Sequence, residues 1–464
     1  MKNEECGQVT IFLSLLLISF LLILSVCLEG IYLHIQKGRI AQQQAAAGEY
    51  AQANYHKELL EQYHIFAIDG RYGAKMEASL KRNWTYHTGN APSVLHISNA
   101  VAVTGSDGQV LRHQIREYMK YAESAKLLDQ IKDSLSGVKE EAETDSIKNQ
   151  VEHIKEEDSD QEVQVEEQPV QDPRKGLKKL LSEGLLPLVM PEGKNISEQA
   201  VNIVYGKKDG TKEKKIDFFQ KDSVAEYLST NGKKTAGKNL ATEGLAAAYA
   251  TEVFQDAVGQ RYKDGVQYEM EYLIAGKATD TENLKSVVHR LMAIRFGLNY
   301  AYLLSDGGKQ AQAYALAVQI GTIASAVPAV VEGIKMLIMA AWAYGEAVID
   351  LRGLLKGNKI PLIKKEDNWQ LSLHNLAKLS AETKSDQSGI SYQDYLKILL
   401  LLQSDQKEKY MRMMDLMEQR IQIKQPDFVL QECYFSYQMT VESKIRSLFF
   451  KHTYTVKDTR NYVY

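Results

Sequence analysis

The sequence predicts an α+β fold, in which an N-terminal transmembrane helix continues into a long amphipathic helix and is followed by a helix-rich body. An apolar run covers residues 9–28, helical spacing of apolar residues dominates residues 280–421, and period-two alternation marks the C-terminal segment. The body is therefore expected to contain small antiparallel sheets and to end in a β-hairpin. The 464 residues leave room for two or three domains, and a net charge of −3 gives no global case for nucleic-acid binding.

The apolar run from Val9 to Leu28 contains 20 residues without a charge, a proline or a glycine. As a helix it is ~30 Å long, which is about the thickness of the hydrocarbon core of a bilayer. We therefore predict a transmembrane signal-anchor at 9–28, preceded by a short tail at 1–8. The mean hydropathy of the whole chain, −0.32, argues against a protein with many spans.

The apolar segment has an alternative to remaining as an uncleaved anchor. A cleaved secretory signal is disfavoured, because Lys2 is opposed by two glutamates and Glu29 follows the run in place of a small-residue cleavage site. Cys27 ends a lipoprotein-like box, so a lipoprotein anchored at this residue is the alternative. Basic residues are almost balanced across the run. Because an anchor so near the N-terminus usually leaves the C-terminal part outside, we expect the body outside the cytoplasm.

Residues 29–138 are predicted to form an amphipathic stalk helix, a strand and a second helix. The stalk helix is expected from Glu29 to Ile68. One of its stripes contains Ala46, Tyr50, Ala53, Lys57, Leu60 and His64. Alternation over Ser93–Thr104 predicts the strand, and apolar spacing predicts the second helix over 110–135.

Residues 139–172 carry thirteen acidic residues against three lysines, a net charge of −10, and almost no large apolar residue. Such a segment buries too little apolar surface to offset its ordering entropy, so we predict a disordered acidic linker. Residues 173–464 then form a mixed α/β body. Its first part is predicted to contain a short helix at 176–181, an extended piece at 185–191 and a hairpin of 201–205 with 214–219.

The segment Tyr268–Ile274 alternates and is predicted to be a strand with Glu269 and Glu271 on one face. Two carboxylates on one face of a strand are close enough for paired acid–base catalysis, but nothing else in the sequence marks a cleft. We therefore expect no catalysis at this pair.

Apolar spacing predicts a helix over Thr281–Leu304. The uncharged, alanine-rich segment 310–331 is expected to belong to a buried helical hairpin, with a second membrane span as the alternative. Further along, Glu346 and Asp350 lie one helical turn apart with Arg352 nearby. No histidine partner is present, so we expect an ion-paired polar patch and no metal site.

The last part of the chain is predicted to contain a helical region and two strands. Ser391, with Asp394 three residues later, has the pattern of a capping box that opens the first helix. A break is expected near Ser404. Alternating apolar residues predict strands over Phe428–Val441 and Leu448–Val456, which form the C-terminal hairpin.

No known catalytic or metal-binding motif occurs, and the ten histidines lack ligand spacing. Cys433 is expected to be a small core residue with no disulfide partner, and His289 a helix-surface residue. We therefore expect no catalytic residue, no cofactor-binding residue, no metal ligand and no cofactor, and no enzyme. The 26 tyrosines suit wet interfaces as well as ordinary cores.

The beginning of the chain resembles a pilin signal. Gly7 stands where prepilin peptidase cuts after a glycine, and an anchor that runs into an alanine-rich amphipathic helix is the plan of pilin-like proteins. Phe12 stands where pilins carry a glutamate. Cleavage after Gly7 and retention of the N-terminus therefore both stay open.

Further motifs are spread over most of the chain. They are Gly7-Gln8-Val9-Thr10-Ile11-Phe12-Leu13-Ser14-Leu15, Leu28-Glu29-Gly30, Tyr268 to Lys277, Ala341 to Ala347 and Tyr392 to Leu396. In these segments the chain resembles a bacterial family of uncharacterised membrane-anchored proteins. That family is similar to the TadE-like and TadG-like pseudopilins of tight-adherence (Flp) pilus systems. The resemblance implies an envelope or pilus-assembly role and identifies no functional residues.

The sequence therefore predicts a single-pass, membrane-anchored envelope protein that acts as a structural or accessory component of a pilus-like assembly or secretion system. Its expected partners are the lipid bilayer and proteins of that assembly, with no nucleic acid. The alternative is a surface-tethered enzyme or ligand-binding sensor. A buried cluster of His, Asp or Glu side chains in a cleft would favour the alternative.

Overall fold

The computed structural model of the chain describes residues 2–70, 81, 84–85, 93–122, 184–191, 193–206, 240–323, 328–379, 385–386, 389–403 and 406–464. The described residues form two compact units. The helix–sheet unit contains those up to residue 114 together with 427–464, and the helical body contains those from 115 to 426. The predicted linker, the predicted helix at 176–181 and the segment 214–219 lie outside the described residues. The fold is α+β, as predicted.

The helix–sheet unit begins with one long helix, α1 (Lys2–Ala53). Its apolar side chains at 9–28 are exposed, and none of its most apolar 18-residue window is buried. The hydroxyls of Ser14, Ser19 and Ser25 donate to carbonyls three residues earlier at 2.8–2.9 Å, so they need no water. Among the described residues, α1 is the one helix long and apolar enough to cross a membrane. This part of α1 is a candidate membrane anchor.

The helix ends at Ala53, earlier than the predicted Ile68. The backbone of Tyr55 and His56 pairs with residues 67–68 in place of continuing the helix. A short second helix, α2 (Lys57–Tyr63), then starts, and the ring of His56 accepts the N–H of Leu59 at its N-terminus. Long-range backbone pairing therefore overrides the local helix propensity at this point.

The buried face of α1 is not the stripe that the spacing selects. Tyr50 is 50% exposed and Ala46 is also exposed, whereas Ile40, Ala47 and Ala51 are buried. The faces of an alanine- and glutamine-rich helix differ little in hydrophobicity. The choice of face depends on which small residues allow the closest approach to the sheet.

That sheet has four antiparallel strands: β1 (Ile68–Asp69), β2 (Ser93–Ala102), β3 (Cys433–Arg446) and β4 (Thr453–Val463). β3 is central and pairs with the other three. The predicted C-terminal hairpin is confirmed, but β3 begins at Cys433 and not at 428, and β4 begins at Thr453 and not at 448. Residues 448–452 form the connecting turn, and a 3₁₀ turn (Leu430–Glu432) precedes β3.

One face of the sheet packs on α1. β3 alternates strictly, with Cys433, Phe435, Tyr437, Met439 and Val441 buried as predicted. Cys433 is buried and forms no disulfide with another described cysteine. The α1 residues Ile40, Ala47 and Ala51 join the same apolar cluster as Tyr437 and Met439.

Apart from α3 (Gln109–Ala122), which extends past residue 114, the remaining helices lie in the helical body. They are α4 (Leu185–Val189), α5 (Leu240–Val253), α6 (Glu269–Ala275), α7 (Asp280–Ser305), α8 (Gly307–Ile323), α9 (Pro328–Leu355), α10 (Tyr392–Leu401) and α11 (Gln406–Gln422), with 3₁₀ turns at Glu366–Asn368 and Leu373–Lys378. The prediction for Thr281–Leu304 is confirmed by α7. The predicted capping box is present at the start of α10, where Ser391 and Asp394 bond reciprocally.

Three further local predictions are wrong. Residues 268–274 are predicted as a strand, but Tyr268 caps helix α6 and residues 269–274 lie in it. Both the apolar and the acidic residues of the alternation are buried, so the alternation does not mark one buried and one exposed face. Residues 185–191 are predicted as extended but contain α4, whose Pro187 lies in the first turn and needs no N–H partner. Residues 201–205 are not in a strand, because the N–H groups of Val204 and Tyr205 donate to Asp415.

α8 and α9 form the predicted helical hairpin, but it is buried only at its base. Ala313 and Ala317 are buried, whereas Tyr314 is 48% and Val330 47% exposed. α9 becomes largely buried from Ile338 onward. The outer part of this hairpin is thus a surface feature of the helical body.

Candidate functional site

The two carboxylates singled out in the sequence lie on α6, both completely enclosed. Glu269 accepts the N–H of Gln255 at 2.9 Å and pairs with Arg420 at 2.9 Å. Glu271 accepts the N–H of Ala257 at 2.9 Å and the hydroxyl of Tyr392 at 2.7 Å. The two glutamates of helix α6 therefore both hold the neighbouring segment 255–257.

Glu271 has the most perturbed environment of this group. Burial, and next the nearby Asp256 carboxylate, raise the pKa of its carboxyl to about 8, against the hydrogen bond from Tyr392. Its second oxygen has no hydrogen-bond partner among the described residues. A neutral, protonated carboxyl is thus favoured near pH 7. A protonated carboxyl can donate a proton as a general acid does. The side chain of Glu271, however, is 0% exposed and has no contact with solvent.

Asp415 on α11 binds an irregular segment in the same way. Its carboxylate accepts three successive backbone N–H groups, from Val204, Tyr205 and Gly206, at 2.7–3.0 Å, and the hydroxyl of Tyr272 at 2.7 Å. Burial raises the pKa of Asp415 although these donors oppose the shift. A side chain at Gly206 would approach the Asp415 oxygen to 2.7 Å, which explains the glycine.

A second buried network links α7 and α9. Arg295 donates from Nε and Nη2 to Asp350 Oδ2 at 3.0 and 2.7 Å. Lys364 Nζ lies 2.8 Å from Asp350 Oδ1 and 2.7 Å from Glu346 Oε1. All four side chains are 0% exposed, and two cations balance two anions. The predicted ion-paired patch is present.

This network also organises the chain that follows α9. Glu346 accepts the N–H groups of Gln370 and Leu371 at 3.0 and 2.7 Å, and Arg295 Nη1 donates to the carbonyls of Pro361 and Leu362 at 2.9 Å. Burial opposes ionisation of Asp350, but Arg295 and Lys364 outweigh it and hold the pKa of Asp350 below its ordinary value. These charged side chains thus provide hydrogen bonds for backbone groups at 361–362 and 370–371, which lie on either side of the 3₁₀ turn Glu366–Asn368.

Three rings surround an ammonium group near these residues. Lys309 Nζ lies 5.5 Å from the ring centres of Trp342 and Trp369 and 6.0 Å from that of Tyr302. Distances of this size give cation–π attraction. The cation that these three aromatic rings surround is thus a lysine of the chain itself.

Comparison with known families gives one match. A family of unknown function, DUF5702, matches residues 163–445, which is more than half of the chain. The chain belongs to the DUF5702 family. No curated protein and no solved structure matches it. The DUF5702 segment contains the carboxylates of α6, the network of α7 and α9, and most of β3.

Sequence reasoning found some of these residues of the DUF5702 chain and missed others. Glu346 and Asp350 are identifiable because they are one turn apart on one helix. Arg295 and Lys364 are not identifiable from spacing, since they come from distant segments, and Arg352 is not the partner of Glu346 or Asp350. Arg352 donates instead to the carbonyls of Leu188 and Leu379, at 2.6 and 2.8 Å.

The other residues weighed in the sequence have ordinary surroundings in this DUF5702 protein. The ring of His289 is on the surface of α7 and contacts the carbonyl of Lys285 at 2.6 Å. Within the described part of the chain, no group of three His, Cys, Asp or Glu side chains is arranged to hold a metal ion.

Proposed function

We propose that this DUF5702 protein is a single-pass, membrane-anchored envelope protein that serves as a structural or accessory component of a pilus-like assembly of the tight-adherence type, without catalysis and without a cofactor. Its body lies outside the cytoplasm. Its partners are the lipid bilayer and proteins of the assembly.

The continuity of α1 supports this proposal most directly. One helix first exposes an apolar surface over 9–28 and then packs its second half on the antiparallel sheet. An apolar rod of ~30 Å must be covered by lipid or by neighbouring anchor helices. A helix that joins a membrane segment rigidly to a folded unit is suited to assembly by side-by-side packing of anchors.

A cysteine scan of the anchor tests the assembly part of the proposal. Leu15, Leu16, Leu17 and Ile18 are each replaced by cysteine in a chain with Cys6→Ser and Cys27→Ser, and native membranes are treated with an oxidant. Side-by-side packing gives disulfide-linked chains at positions that share a helix face, such as 15 and 18. Equal cross-linking at all four positions, or unchanged surface filaments after deletion of the gene, contradicts the role.

The intact mass of the protein from native membranes tests the anchor itself. A retained N-terminus, cleavage after Gly7 and a lipid on Cys27 give three different masses. We expect no lipid on Cys27. A diacylglycerol-modified chain that begins at Cys27 contradicts the transmembrane anchor and supports the lipoprotein alternative.

The buried Glu271 group favours the second candidate, a surface-tethered enzyme or sensor. A protonated carboxyl beside Tyr392 and Asp256 resembles the environments of catalytic acids. We rank it second because the Glu271 carboxyl is enclosed and its Oε1 accepts the backbone N–H of Ala257. A Glu271→Gln variant that folds normally but loses the cellular phenotype supports this candidate.

A further inference from the structure

The turn between β3 and β4 presents an exposed apolar tip. Leu448, Phe449 and Phe450 are 56, 51 and 43% exposed. The turn is closed by its own hydrogen bonds: the N–H of Ser447 donates to the carbonyl of His452, and that of Phe450 to Ser447 Oγ, both at 2.8 Å. Three adjacent large apolar side chains held outward form a patch that is typical of an interaction surface.

Glu29 fixes this tip beside the end of the candidate membrane anchor. Glu29 is the first charged residue after the run 9–28, and it is only 4% exposed. Its carboxylate accepts the N–H of Leu448 at 3.0 Å and that of Phe449 at 3.2 Å. The apolar tip therefore lies beside Glu29, the residue that directly follows the apolar run 9–28.

The direction of the hairpin leads to the same place. Gln52 donates to the carbonyl of Val463, and Gln44 to that of Met439, at 3.0 and 2.8 Å. Glu29 then binds the turn. The hairpin thus runs along α1 from its C-terminal end toward its apolar part, and the tip is its membrane-side end.

The charges around the tip suit an anionic lipid surface. Lys444, Arg446 and Lys451 are exposed on both sides of the apolar residues, whereas the acidic Glu29 is enclosed by the turn. Cationic side chains beside aromatic and aliphatic ones are the pattern of segments that lie at the headgroup–acyl boundary.

We propose that residues 448–450 insert into the headgroup–acyl boundary of the bilayer that α1 crosses, with Lys444, Arg446 and Lys451 contacting anionic headgroups. The tip thereby holds the helix–sheet unit against the membrane surface. The inference rests on the membrane anchor of the proposed function and does not depend on the pilus-assembly role.

Spin labels on the full chain test this proposal in phosphatidylcholine vesicles with and without phosphatidylglycerol. A nitroxide is attached to Phe449→Cys in the Cys6→Ser, Cys27→Ser background, in which the remaining Cys433 is buried. The label is expected to be accessible to lipid-soluble oxygen and shielded from a water-soluble nickel complex, more so with phosphatidylglycerol. A matched label at Asn461→Cys, exposed near the other end of β4, is expected to meet the nickel complex.

A third label at Leu21→Cys separates failure of the tip from failure of the anchor. If the label at 449 meets nickel while the label at 21 is in lipid, the tip proposal is wrong and the anchor stands. If both meet nickel, both proposals fail. If the label at 449 is shielded from nickel and from oxygen, it contacts protein, which overturns lipid docking.

The basic residues have a test of their own. Replacement of Lys444, Arg446 and Lys451 by glutamine is expected to abolish the effect of phosphatidylglycerol on the label at 449. Persistence of that effect overturns the headgroup contact.

Discussion

Four buried carboxylates of the helical body share one role: each accepts backbone N–H groups from a segment without regular secondary structure. Glu269 and Glu271 hold 255–257, Asp415 holds 204–206, and Glu346 holds 370–371. A buried N–H without an acceptor is costly, so a carboxylate stabilises a loop that no strand pairs with. These residues are therefore expected to matter first for folding.

The protonation of Glu271 predicts a pH dependence of stability. The pKa of its carboxyl is about 8 in the folded protein, against an ordinary value of 4.5. The folded state retains a proton that the unfolded state loses, so the free energy of unfolding falls as the pH rises from 4.5 to 8. Glu271→Gln mimics the neutral form and is expected to remove this fall, on the order of 3–5 kcal/mol at ~1.4 kcal/mol per pKa unit.

Urea unfolding of the detergent-solubilised chain between pH 5 and pH 9 measures this effect. The exposed Glu282 on α7 offers a control, because its substitution by glutamine is expected to leave the slope unchanged. Parallel pH profiles of the wild-type chain and the Glu271 variant contradict a raised pKa at this carboxyl.

Asp350 is expected to be far more sensitive than a surface acid on the same helix. Asp350→Asn leaves the enclosed Arg295 and Lys364 short of a counter-charge, at an expected cost of about 3–5 kcal/mol. Glu332→Gln removes the exposed acidic partner of Lys335 and is expected to cost at most about 1 kcal/mol. Tryptophan fluorescence in urea reports both; equal effects of the two variants contradict the network.

At the scale of elements, the sequence correctly predicts those helices and strands that bury one face and expose the other. β3 alternates because one face meets the core, and α7 and α10 have apolar spacing and N-terminal caps. α6 misleads because it is enclosed on all sides, so its acidic residues are as buried as its apolar ones. A two-residue period in a fully buried segment does not separate strand from helix.

The packing of α1 on the sheet predicts different outcomes for two glycines of one helix. A Cβ at Gly48 would lie 2.0 Å from the ring of Tyr462, whereas one at Gly38 meets nothing within 4 Å. Gly48→Ala is therefore expected to destabilise the helix–sheet unit by about 1–3 kcal/mol. Gly38→Ala is expected to stabilise it by about 0.5–1 kcal/mol through helix propensity.

Hydrogen exchange of β3 and β4 amides measures the helix–sheet unit separately. Loss of protection in the Gly48 variant and none in the Gly38 variant is the expected result. Unchanged protection in both variants would mean that α1 does not pack on the sheet through Gly48.

At the scale of the molecule, the long apolar helix that is the candidate anchor is predictable from the sequence, because an uncharged run of 20 residues needs no tertiary context to be recognised. The partners of buried charges were not, since Arg295 and Asp350 are 55 residues apart and meet only in the fold. The division into units was also hidden, because the last strands join the first helix in one core. Local sequence patterns therefore predict helices and strands, whereas the buried charge networks depend on contacts between residues far apart in the sequence.

The proposed orientation predicts which surface an impermeant maleimide reaches in intact cells. Lys356, in the helical body, is exposed and is replaced by cysteine in a chain with Cys6→Ser and Cys27→Ser. Cys433 is buried and gives no background. Because the body lies outside the cytoplasm in our proposal, Lys356→Cys is expected to be labelled before lysis and Asn3→Cys only after it. The reverse pattern places the body inside, which excludes an outward-facing assembly.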